Sequence, residues 1–544
     1  MTRALLLLPL LALAACRSNP PLAQPDISAD RISAHARFLS DDLLEGRGVA
    51  SRGEALATLY IASQFAQLGL EPAGDNGAFF QRVPLVGVQT LPASTLTLND
   101  RSLDLLTEFV GVNNRQQPDA ALQAGAVFAG HGIVAPEFQW DDYKGIDVKG
   151  KWVVLFTNEP ESTDPAFFGG RALTYYGRWT YKYEQATRQG ALGCLIVHTD
   201  KTAGYGWQVV RNSWGGKQPQ VKLSPGEPAL DFAGWVSEAV GNRIFASLGK
   251  TAAEMLRAAD TRGFRALPLP AVRIRGRIQS GITVMDTRNV VARLPGSDSA
   301  LKQEAVLYSA HWDHLGIGTP VNGDSIYNGA VDNATGCGIL LETARAFTAL
   351  NPRPKRSILF AAVGAEEGGL RGSEYYAAHP AVPAGKTAVN LNYDGEFAFG
   401  RTADITMNGY ERTTLRDLVE QTAREFNLKI KPDPQPEQGH YYRSDHFSLA
   451  RAGVPAFTVG LGDDYIGKPP GWGQNAFQEY NEKRYHQPSD HFDPNWDFSG
   501  LAQLALFGFR LGAQVAALPQ LPTWQPADEF LPAREKSWGP PARR

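Results

Sequence analysis

The hydrophobic pattern of the chain changes near residue 287. Beyond that point, short apolar runs at 305–310, 357–363 and 388–393 alternate with longer stretches of helical spacing. Nearly unbroken apolar runs of this length are typical of strands buried on both faces of a parallel sheet. Helical spacing over 337–350 and 498–518 places helices beside those strands. The pattern predicts an α/β fold, with a mostly parallel mixed sheet sandwiched by helices.

The first half of the chain contains two regions with different hydrophobic patterns. Residues 30–39 and 51–68 show the spacing of amphipathic helices, and Leu59 and Phe65 are expected on the packing face of the second helix. From about residue 96 to residue 280, short strand-like runs and turns dominate. This change in the hydrophobic pattern predicts a separate β-rich unit inserted into the α/β domain.

Length, composition and charge limit the classes of function that are expected. The 544 residues are long enough for two or three domains. Hydrophobic residues make up 43% and charged residues 20%, which is ordinary for a soluble globular protein. The formal net charge is −3 and no basic stripe stands out, so a nucleic-acid partner is not expected.

The N-terminus indicates export. Arg3 is followed by an apolar run from Ala4 to Ala15, too short to span a bilayer. The run ends in Leu13-Ala-Ala-Cys16, which resembles a bacterial lipoprotein signal with its lipobox. That resemblance implies cleavage before Cys16 and lipidation of this cysteine. Because Arg17 follows, an outer-membrane anchor facing the periplasm is expected. An ordinary secretory signal that happens to contain a cysteine is the alternative.

Ionisable side chains follow the predicted strands at several points. Carboxyl ends of parallel strands meet at one edge of a sheet, where ligands bind. His311-x-Asp313 offers a metal-binding imidazole an acceptor for its other ring nitrogen. Glu366 and Glu367 leave their strand in different directions, so one can bind a metal while the other transfers protons. The remaining candidates are Asp332 before a helix, Asp394 after a strand, and His486 in a polar loop.

These residues offer oxygen and nitrogen donors without a thiolate. Such a set suits zinc or another first-row divalent ion at a catalytic site. One His, three acids and a second His are too many ligands for one tetrahedral ion that keeps an open position. Five ligands are the right number for two ions that share one carboxylate.

The ordered motifs resemble those of the M28 family of di-zinc metallopeptidases, of the bacterial aminopeptidase type. They are Ser309–Asp313, Gly329–Gly336, Glu366–Gly368, Asn392–Asp394 and Tyr485–Asp490. The resemblance implies that Asp332 bridges two Zn²⁺ ions, with a cis peptide bond after it. His311 and Asp394 would complete one ion's ligands, and Glu367 and His486 the other's. Glu366 would be the general base, Asp313 would orient His311, and Tyr485 would help to hold the oxyanion.

The inserted unit resembles a protease-associated domain. The matching segments are Gly145-Ile-Asp-Val-Lys-Gly-Lys151 and the residues from Ala186 to Gly193. With it, the predicted layout is a lipoprotein signal at 1–16, a flexible tether at 17–28, an M28-type peptidase domain from 29–95 and 281–518, the protease-associated domain at 96–280, and a C-terminal tail at 519–544.

The resemblance implies an exported metallo-aminopeptidase that hydrolyses N-terminal residues from peptides with a zinc-activated water. Its partners are peptide substrates, and the membrane is contacted only through the lipid anchor; the sequence does not determine the oligomeric state. A carboxypeptidase of the same family would need a cation for the substrate carboxylate, and Arg371, Arg401 and Arg443 are candidates. A single-zinc glutaminyl cyclase also resembles this pattern. The long, aromatic-rich segment 460–482 is expected to form a loop that walls the substrate pocket.

Other residues receive structural interpretations. Cys194 and Cys337 fall in different predicted domains and are expected to be buried free thiols. His131 and His198 have no partners at metal-ligand spacing and are expected at the surface or internally bonded. The Pro-rich tail from residue 519 is expected to be a loose surface segment.

Overall fold

The computed structural model describes residues 25–526 and 528–539. The proposed lipidation site Cys16 lies outside these residues. Within the described residues, none of the helices combines the length and apolar character that a membrane crossing requires. Cys194 and Cys337 are buried and free, as predicted.

Helices occur in both halves of the described chain. They are α1 Ala29–Leu39, α2 Arg52–Gln67, α3 Trp179–Arg188, α4 Asp200–Ala203, α5 Trp207–Trp214, α6 Glu238–Phe245, α7 Ala252–Ala259, α8 Thr335–Thr348, α9 Arg371–Ala378, α10 Arg416–Glu425, α11 His446–Arg451, α12 Trp472–Lys483, α13 Ser499–Ala517 and α14 Leu531–Ser537.

The strands are mostly short, with one long exception near the middle of the chain. They are β1 Glu71–Pro72, β2 Phe80–Thr90, β3 Thr95–Leu98, β4 Arg101–Leu103, β5 Phe109–Val112, β6 Asp119–Phe128, β7 Val134–Ala135, β8 Trp140–Asp141, β9 Trp152–Phe156, β10 Gly193–Val197, β11 Gln218–Val221, β12 Phe232–Val236, β13 Leu267–Leu294, β14 Ala305–His311, β15 Gly316–Val321, β16 Asp324–Tyr327, β17 Ser357–Val363, β18 Thr387–Asn392, β19 Asp404–Thr406, β20 Lys429–Lys431, β21 Ala456–Thr458 and β22 Gly460–Leu461.

The α/β domain is built on a mixed sheet with a parallel centre, as predicted. Strands β21, β18, β14 and β17 run parallel to one another. Strands β13, β2 and β11 extend the sheet antiparallel beyond β17. Alternate residues of β14 and β17 pack on opposite faces: α1, α2, α8 and α13 cover one face, and α9, α11 and the C-terminal segment cover the other. Burial on both faces explains the continuous apolar runs in the sequence.

A second sheet occupies the region predicted as the inserted unit. Its order is β5, β12, β10, β9, β6, β13, β3 and β4. Strand β13 belongs to both sheets, because its first half pairs with β6 and its second half pairs with β2 and β17. The boundary placed between residues 280 and 281 therefore falls inside a continuous strand.

Two sequence-based expectations were wrong in their local detail. Leu59 is 56% exposed, and α2 instead packs through a face that includes Ala57, Ile61 and Phe65. The expected loop 460–482 contains the helix α12, which begins at Trp472 after a Gly-Pro-rich turn. Glycine and proline at the start of the segment masked the helical pattern behind them.

The described part of the C-terminal segment is anchored by Trp524 and Arg534 rather than loose. Trp524 is 1% exposed and donates its indole N–H to the Gly453 carbonyl at 3.1 Å. Arg534 is fully buried and donates to the carbonyls of Ala384 at 2.6 Å and Thr387 at 3.0 Å. Such contacts between distant parts of the chain leave no periodic signal, so composition alone misled the prediction.

Candidate metal centre

The parallel strands bring the candidate ligands to one edge of the sheet. His311 at the end of β14 pairs with Val363 at the end of β17, and the two glutamates follow after Gly364 and Ala365. A Cβ at Gly364 would lie 2.5 Å from the Trp312 ring, so glycine lets the chain turn close to β14. Strand β18 pairs with β14 on its other side, which places Asp394 beside His311.

One half of the centre is formed around His311. Its Nε2 atom lies 3.0 Å from Oδ1 of Asp394 and 3.2 Å from Oδ1 of Asp332. The imidazole is 1% exposed. These three groups can hold a metal ion together, because their ligand atoms lie within 4.8 Å of one another.

The other half is formed around His486. Its Nε2 atom lies 3.3 Å from Oδ2 of Asp332 and 3.1 Å from Oε2 of Glu367. The two carboxylate oxygens of Asp332 therefore face opposite halves of the centre. The peptide bond between Asp332 and Asn333 is cis, as the resemblance implied.

The donor set fits zinc. Ligands bound at 2.0–2.1 Å to a tetrahedral zinc lie about 3.3 Å apart, close to the separations around His311 and His486. The centre also contains buried polar atoms without hydrogen-bond partners in the described part of the chain, namely Oε1 of Glu367 and both ring nitrogens of His314. Buried atoms of this kind call for a partner, and a divalent cation satisfies several at once.

The pKa shifts of the ionisable groups in the centre also favour a bound cation. Burial raises the pKa of Glu366 well above its ordinary value, and Asp394 and Glu367 raise it further. Burial lowers the pKa of His486, but hydrogen bonds to Asp332 and Glu367 outweigh this effect and raise it to about 10. In His311, burial is likewise outweighed, chiefly by Asp394 and Glu366, and the pKa is well above its ordinary value. The carboxylates thus favour positive charge between them, which protons supply and a metal ion would supply in their place.

Two buried aspartates hold the main chain beside the candidate ligands. The carboxylate of Asp313 accepts the N–H groups of Glu366 at 3.1 Å and Glu367 at 3.4 Å. Asp490 accepts the N–H groups of Val331 at 3.1 Å and Asp332 at 3.2 Å. Each carboxylate fixes the backbone of a loop that carries a ligand.

The contact between Asp313 and His311 differs in kind from the sequence expectation. Nδ1 of His311 lies 3.1 Å from the main-chain carbonyl of Asp313 and 3.7 Å from its carboxylate. The carbonyl is therefore the acceptor that holds the ring, while the carboxylate is directed to the two glutamate amides.

Sequence reasoning missed Arg47, which supports the site. Arg47 is buried in a short turn and donates to the carbonyls of Trp312, Asn328 and Gly329 at 2.6–2.8 Å, and to that of Leu39. It belongs to no pattern of metal ligands, so no local signal identified it. Ser444, in a segment whose sequence indicates structural support, donates its hydroxyl to Oδ2 of Asp394.

Aromatic side chains line the approach to the His486 half. Tyr485 is 47% exposed, and its ring stacks on that of His486 with centroids 3.9 Å apart. The aromatic wall continues from Tyr485 through edge-to-face and stacked contacts; its members are Phe397, Phe399, Tyr465, Trp472, Phe477, Tyr480 and Tyr485. The segment expected to wall the substrate pocket thus contributes four of these rings.

Comparison with known proteins agrees with the chemistry of the site. Residues 289–507 match the model of Peptidase family M28, and this segment includes the candidate ligands described above. A peptidase of the M28 type, and hence a hydrolase, is the class of protein that this match supports.

Individual relatives are more distant. Leupeptin-inactivating enzyme 1 of Streptomyces exfoliatus is 28% identical over 206 residues, which are 37% of this chain and 42% of the relative. The probable lipoprotein aminopeptidase LpqL of Mycobacterium tuberculosis is 26% identical over 219 residues, 38% of this chain and 41% of the relative. The chain thus spans less than half the length of these curated relatives. A solved aminopeptidase from Aneurinibacillus sp. strain AM-1 overlaps 92% of this chain and 97% of its own, with 19% identity and a TM-score of 0.47.

Proposed function

We propose that the protein is a metallo-aminopeptidase that removes N-terminal residues from peptides at a two-zinc centre. The observation that carries the proposal is the position of Asp332, whose Oδ1 faces His311 and whose Oδ2 faces His486. A carboxylate shared in this way suits two ions better than one. It therefore favours the two-ion peptidase over the single-zinc cyclase.

The residues of the centre have distinct tasks in this proposal. Two bound zinc ions would supply Lewis acidity toward the scissile carbonyl and toward a water molecule. Glu366 is half-buried, and desolvation raises its pKa, which suits a carboxylate that takes a proton and later gives it to the leaving amine. The hydrogen bond from its N–H to Asp313 holds it in place. Tyr485 stands beside His486 and is the candidate donor to the oxyanion.

The aromatic wall beside Tyr485 favours an apolar N-terminal side chain in the substrate. An aminopeptidase must bind the free amine of its substrate, but two acidic residues of this region have partners within the protein. Glu396 accepts the Leu461 N–H at 2.9 Å, and Asp463 is paired with Lys431. They therefore support the fold of the pocket wall.

A carboxypeptidase would need a free cation near the centre. Of the arginines considered, Arg371 donates to the Pro219 carbonyl at 3.0 Å and to Glu374 at 2.8 Å. Arg443 donates to the Gln438 carbonyl at 2.8 Å. These contacts leave Arg401, which is exposed, as the remaining candidate cation for a carboxypeptidase.

In this proposal the inserted unit is a protease-associated domain that lies over the centre and restricts the size of the substrate. Pro219 of β11 packs against Gly368, where a Cβ would lie 2.7 Å from its ring. The adjacent carbonyl contact from Arg371 fixes the same segment beside the glutamate loop. A wall so close to Glu366 and Glu367 favours short peptides over folded proteins.

Hydrolysis of leucyl and other aminoacyl p-nitroanilides by the form lacking residues 1–16 tests the proposal, together with zinc analysis. We expect two zinc ions per chain and a loss of about 10²–10⁴ in turnover for Glu366→Gln, with zinc retained. Glu227→Gln, an exposed change in the inserted unit, is the matched control. Two ions with cleavage only of N-blocked peptides would instead indicate a carboxypeptidase, and one ion with cyclisation of N-terminal Gln a cyclase.

Export and lipid anchoring form a separate part of the proposal. The lipobox ending at Cys16 supports a lipoprotein. The relative LpqL is named a probable lipoprotein aminopeptidase, which is consistent with lipid anchoring. Arg17 supports an outer-membrane location facing the periplasm. Labelling with a radioactive fatty acid, followed by membrane fractionation, tests this; Cys16→Ser should abolish the label, and a labelled variant would contradict the assignment.

A further inference from the structure

His314 is a buried histidine to which the sequence motifs assign no role. It follows His311 by three residues and is 2% exposed. Its Nδ1 lies 2.7 Å from Oε1 of Glu367, yet neither ring nitrogen makes a hydrogen bond to any described residue, and neither does that oxygen. The contact is therefore a close approach of a ring nitrogen and a carboxylate oxygen, both buried and both able to bind a metal ion. Such atoms are rare in folded proteins and indicate an absent partner.

The surrounding backbone is shaped to admit this ring. Gly329 has a φ of +58°, and a Cβ there would lie 2.4 Å from Cγ of His314. A side chain at this position would clash with this ring and with the Asp332 carbonyl oxygen, which would lie 2.2 Å from the same Cβ. On the other side of Glu367, the ring of His486 faces that of His314 with centroids 5.6 Å apart. Two imidazoles thus flank one carboxylate.

The ligand atoms of His314, Asp332 and Glu367 lie within 4.8 Å of one another. Nε2 of His486 approaches the same two carboxylates at 3.3 and 3.1 Å. We propose that His314 is a further ligand of the metal ion in the His486 half of the centre. This inference rests on the proposed two-zinc centre and adds a residue to it.

The consequence is an asymmetric centre. The His486 half would have two imidazoles and two carboxylates, and a water or substrate oxygen would be a fifth ligand. The His311 half would have three groups, because it combines His311 and Asp394 with the shared Asp332. The half with the additional protein ligand should bind its ion more tightly and fill first.

Metal titration of three variants tests the assignment. His314→Ala removes the ring, while His314→Gln keeps a donor for Glu367 but is a poor zinc ligand. His379→Ala, at an exposed position in the α/β domain, is the control. The metal-free proteins are first compared by thermal unfolding, which confirms that the Gln variant is folded. Zn²⁺ and Co²⁺ are then titrated against a competing chelator, and the visible absorption of Co²⁺ reports the coordination number.

We expect both His314 variants to lose more than about 100-fold in affinity at one of two sites, because loss of a residue that only orients a ligand costs 10–100-fold. The Co²⁺ spectrum of that site should change in both. Wild-type affinity and spectrum in His314→Gln would overturn the inference, since a hydrogen bond to Glu367 would then suffice. A wild-type protein that binds fewer than two ions would refute the two-zinc proposal itself.

Discussion

Replacement of Asp313 by Asn tests how the two glutamates are held. Asp313 is fully buried, and its two carboxylate oxygens accept one N–H each from Glu366 and Glu367. Asn keeps the size of the side chain but offers one acceptor oxygen and one NH₂ group. One glutamate N–H therefore faces a donor. The perturbation is small in volume and specific to the hydrogen bonds.

The magnitude follows from the two bonds. The bond that remains becomes neutral and loses about 1 kcal/mol, because bonds to charged groups contribute about 1.5–3 kcal/mol and neutral ones about 0.5–1.5 kcal/mol. The N–H left without an acceptor costs a further 1–3 kcal/mol or so. We expect the free energy of unfolding of the metal-free protein to fall by about 2–4 kcal/mol in total. Since Glu367 is a candidate ligand, zinc affinity should also fall about 10–100-fold.

Urea unfolding followed by far-UV circular dichroism measures the first effect, and zinc competition with a chelator measures the second. Asp100→Asn, a substitution at a side chain that is 94% exposed, is the matched control. If Asp313→Asn retained both the stability and the zinc affinity of the wild type, the carboxylate would not position the glutamates and the reasoning would be refuted.

Three further predictions concern burial and charge. Arg47→Met should lower the free energy of unfolding by several kcal/mol in urea titrations, since each buried carbonyl it leaves unpaired costs about 1–3 kcal/mol; unchanged unfolding would contradict this. Burial raises the pKa of Glu396 to about 8 from its ordinary 4.5, so the fold loses stability as pH rises between these values. The Tm of Glu396→Gln should therefore rise relative to that of the wild type as the pH increases between these values. Tm curves of the two proteins that stay parallel over this pH range would refute the prediction. Zinc must displace the proton on His486, whose pKa is about 10, so affinity should increase with pH through neutrality and calorimetry should show a heat that depends on the buffer; equal heats in all buffers would count against it.

The fold was predictable where burial leaves a local pattern. Strands β14, β17 and β18 lie within one or two residues of their apolar runs, because both faces of each strand are covered. Contacts between distant segments leave no such pattern. Trp524 and Arg534 tie the C-terminal segment to the α/β domain, yet their neighbours in sequence are the prolines and charges of an exposed tail.

The candidate ligands were predictable because chemistry restricts which residues can stand at a strand end that binds metal. His311, Glu367 and Asp394 meet there as expected. The residues that hold them were less visible. Arg47 acts through main-chain carbonyls, and any loop in the chain offers carbonyls. His314 was assigned no role from the sequence, and the structure places it against Glu367.

The candidate metal centre brings like charges close together, and the fold must hold them there. Asp332, Glu366, Glu367 and Asp394 converge in a buried space, where mutual repulsion would drive them apart. The restraints act mainly on the backbone: carboxylates outside the ligand set bind the amides of the ligand-bearing loops, and Arg47 binds their carbonyls. Restraint of the backbone leaves most of the candidate ligand atoms outside these hydrogen bonds. The positions of the candidate ligands are therefore set mainly by the loops that carry them.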